Sequence, residues 1–515
     1  MNGGDEGNGE LCIARTLLLA ANAAVGVFLL FFETDQLSPR LVWLRRITLL
    51  PVVGLVLYIV FSGRFFTRTR RFRRAAASRF DYFDFVKQEQ LEFLERRKTL
   101  YAHSAVQRFF PLVFLNLAGG RNILAATERI DVQTSGAAHF ASLFGDIAAA
   151  ESSVNLEYFI FRSDATGTRL MDLLCRKARE GVSVRLIYDD VGSIFTPRAF
   201  FARLQKAGGE VAAFLPVRGC LPVHLNYRNH RKIAVIDGKI AYIGGHNIGD
   251  EYAGLTPMRR LRNIGRWRDT QARFTGTSVA LAQALFLTDW SSVAATGDSS
   301  PEELARYFSH AGSFKRGADE QNEALFARVF AKGAIPTQIV AAGPDDAHGS
   351  GMEDLFIKLI ASAARYVYIQ TPYFVPTKAI SETLKVAAAS GVDVRVMLPE
   401  RWDKFYVKAA SYSFVRELLA FGIRFFHYQG FIHAKTVVVD DAVTSIGSTN
   451  LDPRSFSLHY EVSALFYDEG VAAHNRAIFL ADERQCREAR REAYERCFFA
   501  VRAWRGFFRL FSALL

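Results

Sequence analysis

Two stretches of this chain follow one pattern with identical internal gaps. His230-Arg-Lys232-Ile-Ala-Val-Ile-Asp237 leads to Gly244-Gly245-His246-Asn247, and His433-Ala-Lys435-Thr-Val-Val-Val-Asp440 leads to Gly447-Ser448-Thr449-Asn450. Both read His-x-Lys-x4-Asp-x6-Gly-(Gly/Ser)-x-Asn, about 203 residues apart. A lone His-x-Lys carries no information, but agreement at five residue types with the same spacing is not coincidence. Gly181-Val-Ser-Val-Arg185 and Gly391-Val-Asp-Val-Arg395 repeat at a similar offset of 210 residues, so the duplication embraces whole domains.

The elements around the motifs alternate. In the first half a helix over 137–150 precedes a strand at Val154–Phe161. A helix over 168–180 then ends at Gly181, and a second strand runs over 182–188. In the second half a helix over 355–364 precedes a strand at 366–374. A helix over 380–390 stops at Gly391, and a strand follows over 392–398. Strands separated by helices of this length predict an α/β sandwich built on a largely parallel or mixed sheet. At 515 residues the chain has room for two to four units. We expect a first repeat over 126–335, a second over 336–515, and linker helices over about 80–110. The charged stretch 481–515 reads as a helix ending in aromatics, for docking on the core or at a membrane interface, with core or interdomain docking preferred.

The N-terminal region is of another kind. Leu11 to Phe32 is apolar apart from Arg15 and Asn22, and about 22 residues at 1.5 Å each cross a bilayer core of roughly 30 Å. A secretory signal is the alternative, but the run continues past Ala21-Asn-Ala23 and the leading segment is acidic. Ile47 to Phe61 is a shorter run that completes a hairpin over 1–63, or else a buried helix. Seven arginines between 64 and 79 follow at once, in a basic juxtamembrane and linker segment over 64–125. Positive charge stays on the cytoplasmic side, which would leave both repeats there, and the cluster suits anionic headgroups. The net charge of +12 favours an anionic partner, lipid or nucleic acid. Five scattered cysteines without a CxxC give neither a zinc site nor a disulfide framework.

On a strand, residues i and i+2 share a face, so His230 with Lys232, and His433 with Lys435, project together. Glycines admit close backbone approach, and Asn247 and Asn450 add amides. Two facing halves would surround one pocket with two imidazoles, two ammoniums and two amides, which suits a phosphodiester. Lys and Asn hold its non-bridging oxygens; one imidazole attacks phosphorus and the other moves protons. A carboxylate should orient each imidazole. Asp269, 39 residues after His230, and Glu461, 28 after His433, are nominated for their respective histidines. Asp237 and Asp440, at strand ends, brace the turn in preference to touching substrate. His-x-Lys puts an ammonium where a second ligand would be needed, so we expect no metal.

These motifs resemble those of the phospholipase D superfamily, and of bacterial cardiolipin synthases within it. Asn229–Gly238, Gly244–Tyr252, Thr371-Pro-Tyr-Phe-Val-Pro376, Asn450-Leu-Asp-Pro-Arg-Ser-Phe456, the two apolar N-terminal segments and the closing Ser512-Ala-Leu-Leu515 carry the likeness. The resemblance implies two tandem phospholipase D-like α/β/α sandwich domains in pseudo-twofold arrangement behind a transmembrane hairpin. It also implies a multi-pass enzyme of the bacterial cytoplasmic membrane. The catalytic set it implies is His230, Lys232, Asp237, His433, Lys435 and Asp440, without metal or cofactor. The implied reaction passes a phosphatidyl group from one phosphatidylglycerol to another through a phosphohistidine, with His230 favoured as nucleophile by analogy. A phospholipase D-type hydrolase or a transphosphatidylase for other lipids is the alternative. The membrane segments argue against nucleic acid.

Overall fold

A computed structural model describes residues 86–102, 104–120, 122–217, 226–255, 267–294, 319–344 and 351–509, with Thr16, Ala20, Ala23, Val52 and Ser512. The chain divides into a unit of Met1–Arg70 with Val217–Tyr227 and a unit of Arg71–Pro216 with Arg228–Leu515. The expected hairpin, the arginine cluster and the closing segment lie outside the described residues apart from those single positions. Among the described residues no helix is long and apolar enough to cross a membrane.

The larger unit carries the duplication as strands. In the first half they are β1 (Leu124–Gln133), β2 (Ser153–Tyr158), β3 (Ser183–Asp189), β4 (Glu210–Phe214), β5 (Arg228–Asn229), β6 (Lys232–Ile236), β7 (Ile240–Gly244), β8 (Trp267–Arg268) and β9 (Gln271–Gly276). The second half follows with β10 (Ile335–Ala342), β11 (Tyr366–Gln370), β12 (Asp393–Pro399), β13 (Arg424–Tyr428), β14 (Phe431–Ile432), β15 (Thr436–Val439), β16 (Val443–Gly447), β17 (His459–Phe466) and β18 (Cys486–Glu488). One continuous sheet has the order β18-β13-β12-β11-β15-β16-β17-β10-β1-β9-β7-β6-β2-β3-β4. Outward from the antiparallel β1–β10 contact, both directions meet the same succession of strands. Strands β2, β3 and β4 are parallel, as are β11, β12 and β13, while each motif strand joins antiparallel. The sheet is therefore mixed.

Helices cover both faces. Facing β2 and β3 are α1 (Gly136–Ala148), α2 (Ala165–Arg179) and α3 (Arg198–Lys206), which bury Val154, Leu156, Leu186 and Ala234. The alternate residues of β6, Ile233 and Val235, face α4 (Val279–Val293). The second half repeats this with α5 (Gly351–Ala361), α6 (Lys378–Ala389) and α7 (Phe405–Leu419) on one face and α8 (Glu469–Glu483) on the other. Period-two alternation of buried side chains is what a sheet covered on both sides requires. One apolar cluster, with Ile233, Val235 and Phe274 against Ile446, Val462 and Phe466, joins the halves; the Phe274 and Phe466 rings are 6.0 Å apart.

The stretch 481–515 departs from the expected single helix. It runs from the end of α8 through β18 and a short helix, Arg491–Glu495, to α9 (Phe499–Arg509). The physical reason lies in β13, whose open edge takes β18 as an antiparallel partner, with Arg424 held by Glu488 at 2.7 Å. Helix α9 lies along α7, where Arg509 donates to Glu417 at 2.5 Å.

Candidate active site

Each motif histidine sits in the connector between a two-residue strand and the longer motif strand. His230 lies between β5 and β6, and His433 between β14 and β15, just outside the strands on which the sequence places them. The two-residue strands determine what stands opposite. β5 pairs in parallel with β17 of the other half, so the His230 N–H donates to the Tyr460 carbonyl at 2.9 Å. β14 pairs in parallel with β8, so the His433 N–H donates to the Arg268 carbonyl at 2.6 Å. The residue after each of those carbonyls is a carboxylate.

The pairing is consequently crossed. His230 Nδ1 lies 3.0 and 3.2 Å from the two oxygens of Glu461, and His433 Nδ1 lies 2.6 Å from Asp269 Oδ2. The sequence nominates the right carboxylates but gives each to its own repeat, and this is corrected: every histidine is oriented by the other half. Accepting at Nδ1, the carboxylate selects the tautomer whose Nε2 carries a lone pair.

Burial dominates the electrostatics. Glu461 is wholly buried and Asp269 nearly so. Both imidazoles are held well below the usual histidine range, first by burial and then by positive charge from Lys232, Lys435 and Lys404. At His433 the Gly245 backbone works against this, favouring the proton. The Lys232 ammonium is lowered to about 7 and Lys435 to about 8, in both cases chiefly by burial. Each lysine donates to the carbonyl of its own histidine. Charges from both repeats thus act on one space.

The remaining motif residues divide. Asp237 accepts from the N–H groups of Glu151, Ser152 and Ser153 at 2.8–2.9 Å, and Asp440 from those of Ala364, Arg365 and Tyr366 at 2.7–2.8 Å. They tie the end of each motif strand to the start of the neighbouring one. Both adopt positive φ, 52° and 54°, which aspartate tolerates better than most residues. Asn247 is committed, accepting from the Ile160 N–H at 3.0 Å and donating to the Tyr252 hydroxyl at 2.8 Å. Asn450 is buried with its side-chain oxygen unpartnered.

The residue after the first motif glycine, Gly245 in one half and Ser448 in the other, shows what the position is for. A Cβ on Gly245 would come within 2.0 Å of Asp269 Oδ1. Its counterpart Ser448 instead donates its hydroxyl to Glu461 Oε2, so the longer carboxylate gains a second anchor. Rings shape the space: Phe159 and His459 lie 5.0 and 5.5 Å from His230, and Trp267 and Tyr252 lie 5.4 and 5.7 Å from His433.

Sequence reasoning missed Ser448, whose signal was the Gly-to-Ser exchange inside the motif. It also missed Lys404, which donates to the Tyr373 hydroxyl at 3.1 Å and adds charge to both histidines. Among the described residues one group has atoms grouped for a metal ion: His230, His459 and Glu461, within 4.8 Å of one another. There the Glu461 carboxylate already accepts from His230 and Ser448, and Lys232 adds a nearby cation.

A family model described as cardiolipin synthase, phospholipase D-like domain, matches residues 143–255 and 356–483, one segment around each motif. A cardiolipin synthase of Listeria welshimeri is 35% identical over 513 residues, covering 98% of this chain and all of that protein. One from Oceanobacillus iheyensis is 34% identical over 98% of this chain and 99% of its own length. The major cardiolipin synthase of Bacillus subtilis is 34% identical over the same shares. The crystal structure of a phosphatidylserine synthase from Haemophilus influenzae has the same fold, with a TM-score of 0.56 at 14% identity, covering 79% of this chain and all of that one. Similarity at this level runs from end to end and includes both motifs. The chain belongs to the cardiolipin synthase family, whose domains are of the phospholipase D type.

Proposed function

We propose that this protein transfers a phosphatidyl group between two phosphatidylglycerol molecules, giving cardiolipin and glycerol. The observation that carries the reading is the crossed pair of histidine–carboxylate dyads, each completed by the opposite repeat and flanked by buried lysines. His230 attacks phosphorus through Nε2, and a proton on His433 goes to the departing glycerol oxygen. The result is a phosphohistidine and free glycerol. His433, now neutral, takes the hydroxyl proton of a second phosphatidylglycerol as that oxygen attacks phosphorus and the bond to His230 breaks. Lys232, Lys435 and the Asn450 amide hold the non-bridging oxygens. The order of roles follows the family resemblance, and burial with the neighbouring lysines keeps the His230 imidazole neutral for attack. The substrate's negative charge opposes the lysines and brings His433 into its protonated form. None of these steps needs a metal.

In this reading residues 126–335 and 336–515 are two phospholipase D-like domains in pseudo-twofold relation. Residues 1–63 form a transmembrane hairpin, with both domains on the cytoplasmic side behind the arginines of 64–79. The test is incubation of the membrane-embedded chain with labelled phosphatidylglycerol in EDTA. Cardiolipin with free glycerol supports the proposal, phosphatidic acid alone makes the protein a hydrolase, and dependence on metal removes the two-histidine scheme. His230→Ala and His433→Ala each abolish turnover.

A further inference from the structure

Helix α9 has an unusual orientation. Two of its three arginines turn inward: the Arg505 guanidinium lies over the Tyr412 and Tyr494 rings at 5.2 and 5.3 Å, and Arg509 covers Phe414 at 4.3 Å while donating to Glu417. Most of its large apolar residues turn outward, Phe508 excepted, which packs against the core. Phe499 is 78% exposed, Trp504 51% and Phe507 50%, with Val501 and the preceding Phe498 also exposed. An amphipathic helix on a soluble protein buries the opposite face.

The patch does not end with the helix. Trp504 stacks on Phe405 at 6.5 Å and 16°, and Phe405 is itself 65% exposed at the start of α7. The residue before Phe405 is Lys404, whose charge reaches both catalytic histidines. An exposed aromatic platform therefore adjoins the edge of the site. Its surroundings are cationic: Arg496 and Arg502 are exposed, and Arg496–Arg509 contains no acidic residue. Aromatic side chains rimmed by arginines match the headgroup boundary of an anionic bilayer.

We propose that α9 and Phe405 form a second membrane contact, an interfacial platform that lies in the headgroup layer beside the active site and presents the site to lipid. Phe499, Trp504 and Phe507 enter the acyl boundary while Arg496 and Arg502 meet lipid phosphates. The proposal rests on the lipid reading above, and its occupant is a phosphatidylglycerol-containing surface.

The test uses the full chain reconstituted in bilayers of phosphatidylglycerol and phosphatidylcholine. The emission of Trp504 is isolated as the difference between the wild type and Trp504→Phe. Quenching of that component by brominated lipid and protection from aqueous iodide are expected. Quenching by iodide alone places the face in water, and protection from both places it against protein; either result overturns the proposal. This readout is independent of turnover, so it stands even if the lipid chemistry assigned above is wrong. As a second measurement, Phe499→Ser/Phe507→Ser is expected to raise KM on vesicles about 10-fold, with kcat retained and the difference lost in detergent–lipid micelles. An unchanged vesicle KM contradicts the platform.

Discussion

Because each imidazole is oriented by the opposite repeat, Glu461→Gln should disable His230 and leave the surroundings of His433 untouched. Glutamine keeps the volume of a wholly buried side chain and removes only the charge and one acceptor. What is lost is a charge-assisted bond from Nδ1, which lies 3.0 and 3.2 Å from the carboxylate oxygens. Hydrogen bonds to charged groups are worth about 1.5–3 kcal/mol. At 1.36 kcal/mol per decade this lowers kcat about 10- to 150-fold. If the amide presents its NH2 to the ring and the tautomer flips, the loss approaches about 10⁴-fold, as for a misoriented catalytic histidine. Diethylpyrocarbonate labelling read by peptide mass spectrometry locates the effect. Glu461→Gln should change the modification rate at His230, and Asp269→Asn the rate at His433. If Glu461→Gln altered His433 and spared His230, the crossed arrangement would be refuted.

Three further outcomes follow from the same geometry. Gly245→Ala should reproduce the kinetic defect of Asp269→Asn, since the new Cβ falls 2.0 Å from Asp269 Oδ1; wild-type turnover in that variant contradicts the contact. The free enzyme should lose kcat/KM as pH rises through 7–8, because burial lowers the Lys232 and Lys435 ammoniums to about 7 and about 8 and the proposed hold on phosphate needs their protonated forms. The limb in kcat should lie higher, since a bound phosphodiester favours the charged lysines; a kcat/KM profile flat through that range would be inconsistent. Asp237→Asn should cost about 1.5–3 kcal/mol by removing the charge that three backbone N–H groups share and turning an NH2 toward the Glu151 N–H, lowering the thermal midpoint while turnover per folded molecule is largely kept.

Much of this was legible in the chain itself. The spacing of His, Lys, Asp, Gly and Asn marks both halves of the site, and the alternating elements predict a largely parallel or mixed α/β sheet, of which the strand order realises the mixed form. The crossing was not legible. It depends on β5 pairing with β17 and β14 with β8, two-residue contacts between segments more than 150 positions apart that no local periodicity announces. Reading carboxylates with the nearest preceding histidine fails because chain order does not report which repeat stands opposite. Lys404 escaped because nothing in the first motif corresponds to it. The break in 481–515 escaped because helical composition says nothing of the open β13 edge that β18 fills. The strand-end role of Asp237 and Asp440 did follow from position, since a carboxylate at positive φ beside a turn meets backbone N–H groups before it meets substrate.

The central claim is that one histidine carries the phosphatidyl group while the other, from the opposite repeat, serves its proton transfers. The direct measurement is to mix the membrane-embedded chain with phosphatidylglycerol, quench under alkaline conditions that preserve phosphohistidine, and locate the adduct by peptide mass spectrometry. The account expects the adduct on the His230 peptide, present in the wild type and absent in His230→Asn, with none on His433 in either protein. An adduct on His433, on both histidines or on another residue type would contradict it.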